Sequence, residues 1–260
     1  MASERKFWNQ KTFSLVTGAS QGIGECIAVE FCKKFGPGST IVLTARSREG
    51  LESTKKQILE NSPNINVQVE CCDLSKPDMK TLEEMAAHGT KGEVYDLYLL
   101  VHNAGSEGGG HLALEMTDLA YWQSYMTVNV YSAPILMQAF LNQVPEGRKK
   151  CVVNISSLAA VQPISGLGSY CVGKAAREMY YRVLAEENPD LEVLNYSPGP
   201  VKTAMIDRII NNLGGEVRSN FVKMRDEDSL VKPHDTIAKL ITLLAQGGYK
   251  SGSHLDYFDP

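Results

Sequence analysis

The feature that most constrains this chain is a rhythm: short apolar runs alternate with amphipathic segments of helical length along almost all of its 260 residues. TFSLVT precedes a helix expected from about Gly22 to Lys34, and TIVLTA precedes one through Leu51 to Leu59. NVQVECC, a polar helical stretch near Met79 to Ala87, and DLYLLVHNAG come next, followed by a long helix over about Leu119 to Leu141 and the run KCVVNIS. A helix from about Gly168 to Glu187 and the run EVLNYS lead to a breaker, Pro198-Gly199-Pro200, and a less regular region to about Val231. The last helix begins near Lys232 with Pro233 in its first turn, and a short strand around His254 to Asp256 closes the pattern. Apolar strands separated by helices bury themselves best as a parallel sheet covered on both faces. The near-obligatory right-handed crossover then favours one α/β architecture: a Rossmann-type, doubly wound parallel sheet of about seven strands with helices on both faces. No linker or repeat interrupts it, so residues 1–260 are expected to form a single domain.

Charge excludes some functions. A formal net charge of −4, without a long block of Lys or Arg, gives no footprint for nucleic acid. Met1 to Lys11 is charged and lacks the apolar stretch of a signal peptide, and no later run is long enough to span a bilayer, so a cytoplasmic protein with no membrane partner is expected. Cys26, Cys32, Cys71, Cys72, Cys151 and Cys171 have neither CxxC spacing nor histidines at metal-ligand intervals; buried free thiols are expected, and no metal.

Immediately after the first strand comes Thr17-Gly18-Ala19-Ser20-Gln21-Gly22-Ile23-Gly24, opening the first helix. Gly18 permits the tight turn, Gly22 lets the backbone approach a pyrophosphate, Gly24 allows close packing, and the helix N-terminus offers N–H groups to the anion. A dinucleotide is therefore expected here. At the end of the second strand the chain reads Thr44-Ala45-Arg46-Ser47-Arg48, where an Asp or Glu would serve the ribose of NAD. Arg46 suits a 2′-phosphate instead, which favours NADP(H).

Tyr170 and Lys174 stand one helical turn apart on one face. A phenol ordinarily titrates near ~10, and the reading is that the neighbouring ammonium lowers that value into a useful range. Ser157, on the loop after KCVVNIS, can fold back to hydrogen-bond a substrate oxygen. The glycine motif, Asn103-Ala104-Gly105, Asn129, Ser156-Ser157, Tyr170-xxx-Lys174 and Ser197-Pro198-Gly199 occur in one order over about the first two hundred residues. That order resembles the short-chain dehydrogenase/reductase family. The resemblance implies Tyr170 as general acid, Lys174 on the nicotinamide ribose, Ser157 orienting the carbonyl and Asn129 holding a relay water. It also implies Asp73 and Leu74 beside the adenine, the segment from Pro198 and Gly199 through Val201 to Thr203 beside the nicotinamide, and a homodimer.

Two positions depart from the family pattern: His102 stands where a second Asn is usual, and Gln21 where many NADP-preferring members carry a basic residue. His102 reads as a tolerated strand-end residue. Longer stretches, including Val153 to Leu158, Tyr170 to Arg177, Val193 to Tyr196 and Lys250 through His254 to Asp256, resemble those members that reduce the side-chain ketones of pterins. In that resemblance Asp256 is the pterin anchor, its carboxylate accepting two parallel hydrogen bonds from the ring edge. A reductase of small diketones or steroids, and a non-catalytic NADP(H)-binding regulator, are the alternatives.

Overall fold

In a computed structural model, which describes residues 7–90 and 92–260 and not the side chains of 88 and 89, each apolar run becomes a strand. Residues 1–6, the start of the charged N-terminal segment, lie outside the described residues. The strands are β1 (Thr12–Thr17), β2 (Thr40–Ala45), β3 (Asn66–Cys71), β4 (Leu97–His102), β5 (Lys149–Ile155), β6 (Leu191–Ser197) and β7 (His254–Asp256). They form one seven-stranded sheet in the order β3-β2-β1-β4-β5-β6-β7. Every neighbouring pair is parallel.

The connecting helices are α1 (Gly22–Cys32), α2 (Arg48–Asn61), α3 (Met79–Thr90), α4 (Leu119–Met126), α5 (Ser132–Leu141), α6 (Gly168–Glu187), α7 (Ala204–Asn212), α8 (Gly215–Asp226) and α9 (Pro233–Gln246). Strand residues alternate between two buried clusters because the side-chain period of a strand is two. Val16, Leu43, Val101 and Val153 pack with Ile27 of α1 and Ile237 of α9. Leu15, Val42, Leu100 and Val152 face the other way, onto Leu82 of α3, Leu136 of α5 and Tyr181 of α6. None of the helices in the described residues is long and apolar enough to cross a membrane.

The structure corrects two expectations. The expected long helix from Leu119 to Leu141 is interrupted by a π turn over Thr127–Tyr131, whose signature is the Ser132 amide donating to the Thr127 carbonyl five residues back. Pro134 has no N–H to offer the Val130 carbonyl, so an unbroken α-helical ladder is impossible there. The region expected to be less regular after Pro200 is mostly helical, as α7 and α8. Gly214 and Gly215, the latter at φ +67, separate two short amphipathic helices, and a break of that kind erases a long-range period. Ile206, Ile209 and Ile210 of α7, with Leu213 just after it, form a satellite core with Leu167 and Leu230, and Val217 and Phe221 of α8 pack partly against it.

Candidate active site

A doubly wound sheet opens a crevice where successive connections leave in opposite directions, here beyond the C-terminal ends of β1 and β4. The glycine loop lies there. Gly18 and Gly22 have φ of +66 and +61, in the left-handed region. A Cβ on Gly24 would lie 2.3 Å from the Gly18 carbonyl oxygen and 2.4 Å from Asn103 Nδ2, so Gly24 packs against its own loop and the end of β4. A Cβ on Gly22 would meet nothing nearer than the Thr203 methyl group at 3.5 Å. The loop is held from beneath: Asn103 Nδ2 donates to the carbonyls of Thr17 (3.0 Å) and Gly18 (3.3 Å), and Thr17 Oγ1 accepts from the amides of Asn103 and Ala104. No side chain caps α1, so its first amides face the crevice. Ser20 and Ile23 are half-buried and Gln21 is exposed. An open cradle above Gly22 and an uncapped helix N-terminus fit the pyrophosphate of a dinucleotide.

Arg46 is exposed just past β2, and its charge reaches Asp73 just past β3. The Asp73 carboxylate accepts from the Ser75 amide at 3.0 Å, which, with Arg46 in a smaller part, holds it below its ordinary range. Leu74 is buried beneath. These residues line one edge of the crevice, as a 2′-phosphate and adenine require. Gly105 is exposed. Pro198 is buried, Gly199 sits at φ +76, Val201 bridges to Val231, and Thr203 stands over Gly22.

Across the crevice, α6 carries Tyr170 and Lys174 inward, with Lys174 Nζ 5.5 Å from the centre of the Tyr170 ring and donating to the Ile155 carbonyl at 2.7 Å. Ser157 caps a short 3-10 turn, its Oγ accepting from the Ala159 amide at 3.2 Å, and its hydroxyl also bonds the Tyr170 phenol. The π turn brings Asn129 into the site: Nδ2 donates to the Tyr125 carbonyl (2.9 Å) and Oδ1 accepts from the Ser106 amide (2.8 Å). The structure thus gathers Ser157, Tyr170, Lys174 and Asn129 around the ends of β4 and β5.

The electrostatics of the site bring in a second cation. Burial raises the Tyr170 phenol above its ordinary value, and the Ser157 hydrogen bond and the Arg177 guanidinium oppose this. Burial, then Arg177, pushes the Lys174 ammonium well below its own. One cation acting on the phenol is Arg177, which sequence reasoning missed. Its signal was available: Tyr170, Lys174, Arg177 and Tyr181 form one inward stripe at helical spacing.

Other residues are accounted for more simply. His102 is fully buried and held neutral by burial, with Nδ1 2.7 Å from the Tyr181 hydroxyl. Cys32 and Cys151 are buried as expected, but Cys26, Cys72 and Cys171 are only half-buried and Cys71 is exposed; all six are free. They lie at strand ends and helix flanks where an apolar run meets solvent. Among the described residues no cluster of His, Cys, Asp and Glu could hold a metal ion. Asp256 ends β7 opposite Ser197, beside the Pro198-Gly199 loop, and its Oδ1 accepts from the Phe258 amide at 3.0 Å.

A family model described as short chain dehydrogenase matches residues 12–214. Sepiapterin reductase of Rattus norvegicus is 36% identical over 250 residues, 94% of this chain and 95% of that protein. Sepiapterin reductase of Xenopus tropicalis is 34% identical over 249 residues, again 94% and 95%. A short chain dehydrogenase of Shigella flexneri, solved with NADP, is 26% identical, superposes with a TM-score of 0.79 and covers 98% of this chain and 100% of its own. With its sheet, its crevice and most of its length thus matched, this chain belongs to the short-chain dehydrogenase family.

Proposed function

We propose that the chain, as one NADP(H)-binding domain in the cytoplasm, is an oxidoreductase that reduces the side-chain ketones of pterins, sepiapterin and 6-pyruvoyl-tetrahydropterin, in tetrahydrobiopterin synthesis. The observation that carries this reading is the convergence of Tyr170, Lys174 and Ser157 on one rim of a crevice whose other rim is a glycine cradle. The similarity to sepiapterin reductases over 94% of the chain supplies the substrate class. Arg46, with no carboxylate in its own turn, favours the 2′-phosphate of NADP.

When bound, NADPH supplies the hydride. Gly18, Gly22 and the first turn of α1 hold its pyrophosphate; Asp73 and Leu74 border its adenine; Asn103 to Gly105 and Pro198 to Thr203 border its nicotinamide half. A phenol kept above its ordinary value is protonated at neutral pH, and Tyr170 accordingly gives its proton to the ketone oxygen. Ser157 donates a hydrogen bond to the same oxygen as negative charge develops there. Lys174 orients the ribose, and Asn129, through water, returns a proton towards Tyr170. Asp256 anchors the pterin edge, which sets the ring so that the side chain is what meets Tyr170.

The test is NADPH oxidation with sepiapterin, a small diketone and a steroid as acceptors. Sepiapterin should be preferred, and Tyr170→Phe should lower turnover by about a hundredfold or more with NADPH affinity little changed; unchanged turnover would sink the assignment. One observation favours a second reading, a reductase of small diketones: the Phe258 amide already occupies Asp256 Oδ1. Asp256→Ala should weaken sepiapterin reduction and spare the diketone, whereas equal losses on both would favour that second reading.

A homodimer completes the proposal. Val172, Met179 and Val183 make an exposed apolar stripe along α6, and Tyr131 is exposed beside α5. A stripe at that spacing suits a helix-to-helix contact between two copies.

A further inference from the structure

Seven residues beyond Tyr170, α6 buries a second cation. Arg177 is 1% exposed, yet among the described residues no carboxylate pairs with it. Its neighbour Glu178 is engaged elsewhere, by the Ser156 hydroxyl at 2.5 Å and by His254 Nδ1 at 2.8 Å. The guanidinium instead donates from Nη1 to the Ala104 carbonyl (2.8 Å) and from Nη2 to the Ile155 carbonyl (2.9 Å), while Nε is buried with no hydrogen-bond partner. Burying a charge without a counter-ion is among the costlier choices a fold can make, and an apolar side chain would satisfy packing alone. The two carbonyls belong to the two segments that build the site: Ala104 lies in the loop after β4, and Ile155 ends β5 one residue before Ser156. The Ile155 oxygen also accepts from Lys174 Nζ.

The surroundings of this charge are mostly neutral hydroxyls. Tyr181, Tyr170 and Tyr125 face it, with His102 held neutral on β4 and Lys174 on its own helix. Around Tyr170 itself stand Ser157, Arg177, Cys171, Tyr125, Lys174 over the ring, and Glu107 from the loop after β4. Glu107 is the one carboxylate in that set, and Arg208 of α7 engages both of its oxygens, at 2.6 and 3.2 Å. Lys174 is pushed towards neutrality by burial and by Arg177. A guanidinium, starting far higher, stays charged. Arg177 is thus the cation whose charge persists at every working pH.

We propose that Arg177 is a positioning residue for the reaction: its uncompensated charge keeps the Tyr170 hydroxyl acidic enough to give up its proton, and its fork fixes the Ile155 carbonyl that seats Lys174. This rests on Tyr170 being the proton donor of the proposed reduction. The geometry makes the role testable, because Gln keeps a donor without charge, and a Lys at this position, like Lys174 beside it, is pushed towards neutrality by burial and lacks the fork.

The experiment compares the wild type, Arg177→Gln and Arg177→Lys by two readouts. The first is the ultraviolet titration of the Tyr170 phenolate, taken as the difference between each chain and its Tyr170→Phe counterpart, with and without NADP+. The second is the alkaline limb of kcat/KM for reduction of a ketone that does not itself titrate. Arg177→Gln should raise both by about one pH unit or more, and Arg177→Lys, its ammonium pushed towards neutrality by burial, should raise both in the same direction while losing turnover. Superposition of the Gln profile on the wild type would overturn the proposal. Should the Gln chain not fold, Arg177→Lys still decides: a phenolate titration and an alkaline limb that both stay on the wild type count against the proposal. A phenolate titration that moves in a chain reducing no ketone would leave Arg177's effect standing and remove the reductase reading. Reduction that persists with an unmoved phenolate would do the reverse.

Discussion

Single atoms set the cofactor cradle. Gly24 and Gly22 are two residues apart, and their substitutions should fail for different reasons. In Gly24→Ala the new methyl meets a carbonyl oxygen at 2.3 Å and the Asn103 amide nitrogen at 2.4 Å, both fixed by the clasp beneath the loop. Overpacking of this kind costs about 1–3 kcal/mol, so the urea midpoint should drop. In Gly22→Ala the methyl has room, and only the left-handed backbone resists it, at about 1–2 kcal/mol. Its main loss should be NADPH affinity, read by fluorescence titration, because the methyl projects into the cradle proposed for the pyrophosphate. Equal stability losses with no difference in NADPH affinity would contradict this division. The glycines, Ser157, Tyr170 and Lys174 were legible in the sequence because each is an identity demanded at a fixed spacing. Arg177 stands on the same helical stripe but went unread, since a cation on a helix is ordinarily a solvated one, and only burial reveals that this one has no counter-charge.

At the level of elements, what joins β7 to α6 is a titratable contact. His254 Nδ1 lies 2.8 Å from Glu178 Oε2; the hydrogen bond raises the His254 pKa above 6.5, and Glu178 is held below its ordinary value by His254 and Ser156 against the opposing effect of burial. A raised histidine contributes stability that is fully present below its unfolded value and is lost as pH rises through the folded one. A lowered glutamate contributes stability present above its unfolded value and lost as pH falls through the folded one. The contact should therefore be strongest under mildly acidic conditions and fade above neutrality. Melting curves of His254→Gln should lie furthest below those of the wild type near pH ~6 and close the gap by pH ~8; a gap that widens with pH would reject this. Elements with one strong period, such as β1, α6 and α9, were readable in advance. The π turn and the α7–α8 pair were not, because Pro134 and the Gly214-Gly215 break act on a few backbone positions and leave the hydrophobic pattern around them ambiguous.

The whole molecule gathers its candidate site at one end of the sheet, and α6 carries an exposed apolar stripe of Val172, Met179 and Val183 away from it. Replacing Met179 and Val183 with Glu places two like charges on each face of the proposed helix contact. Sedimentation should then report a monomer that still binds NADPH, and an unchanged species would count against that surface. The topology was legible because parallel strands must be covered on both faces, whereas the partner surface is a matter of which apolar residues remain outside after folding. The Ile155 carbonyl joins these scales. An amide oxygen drawn on by an ammonium and a guanidinium has a weakened C=O bond and vibrates at lower frequency than its neighbours. Labelled with carbon-13, this one bond becomes an infrared reporter inside the protein, and a rise in its frequency would time the moment at which Lys174 lets go of it to meet an arriving nucleotide.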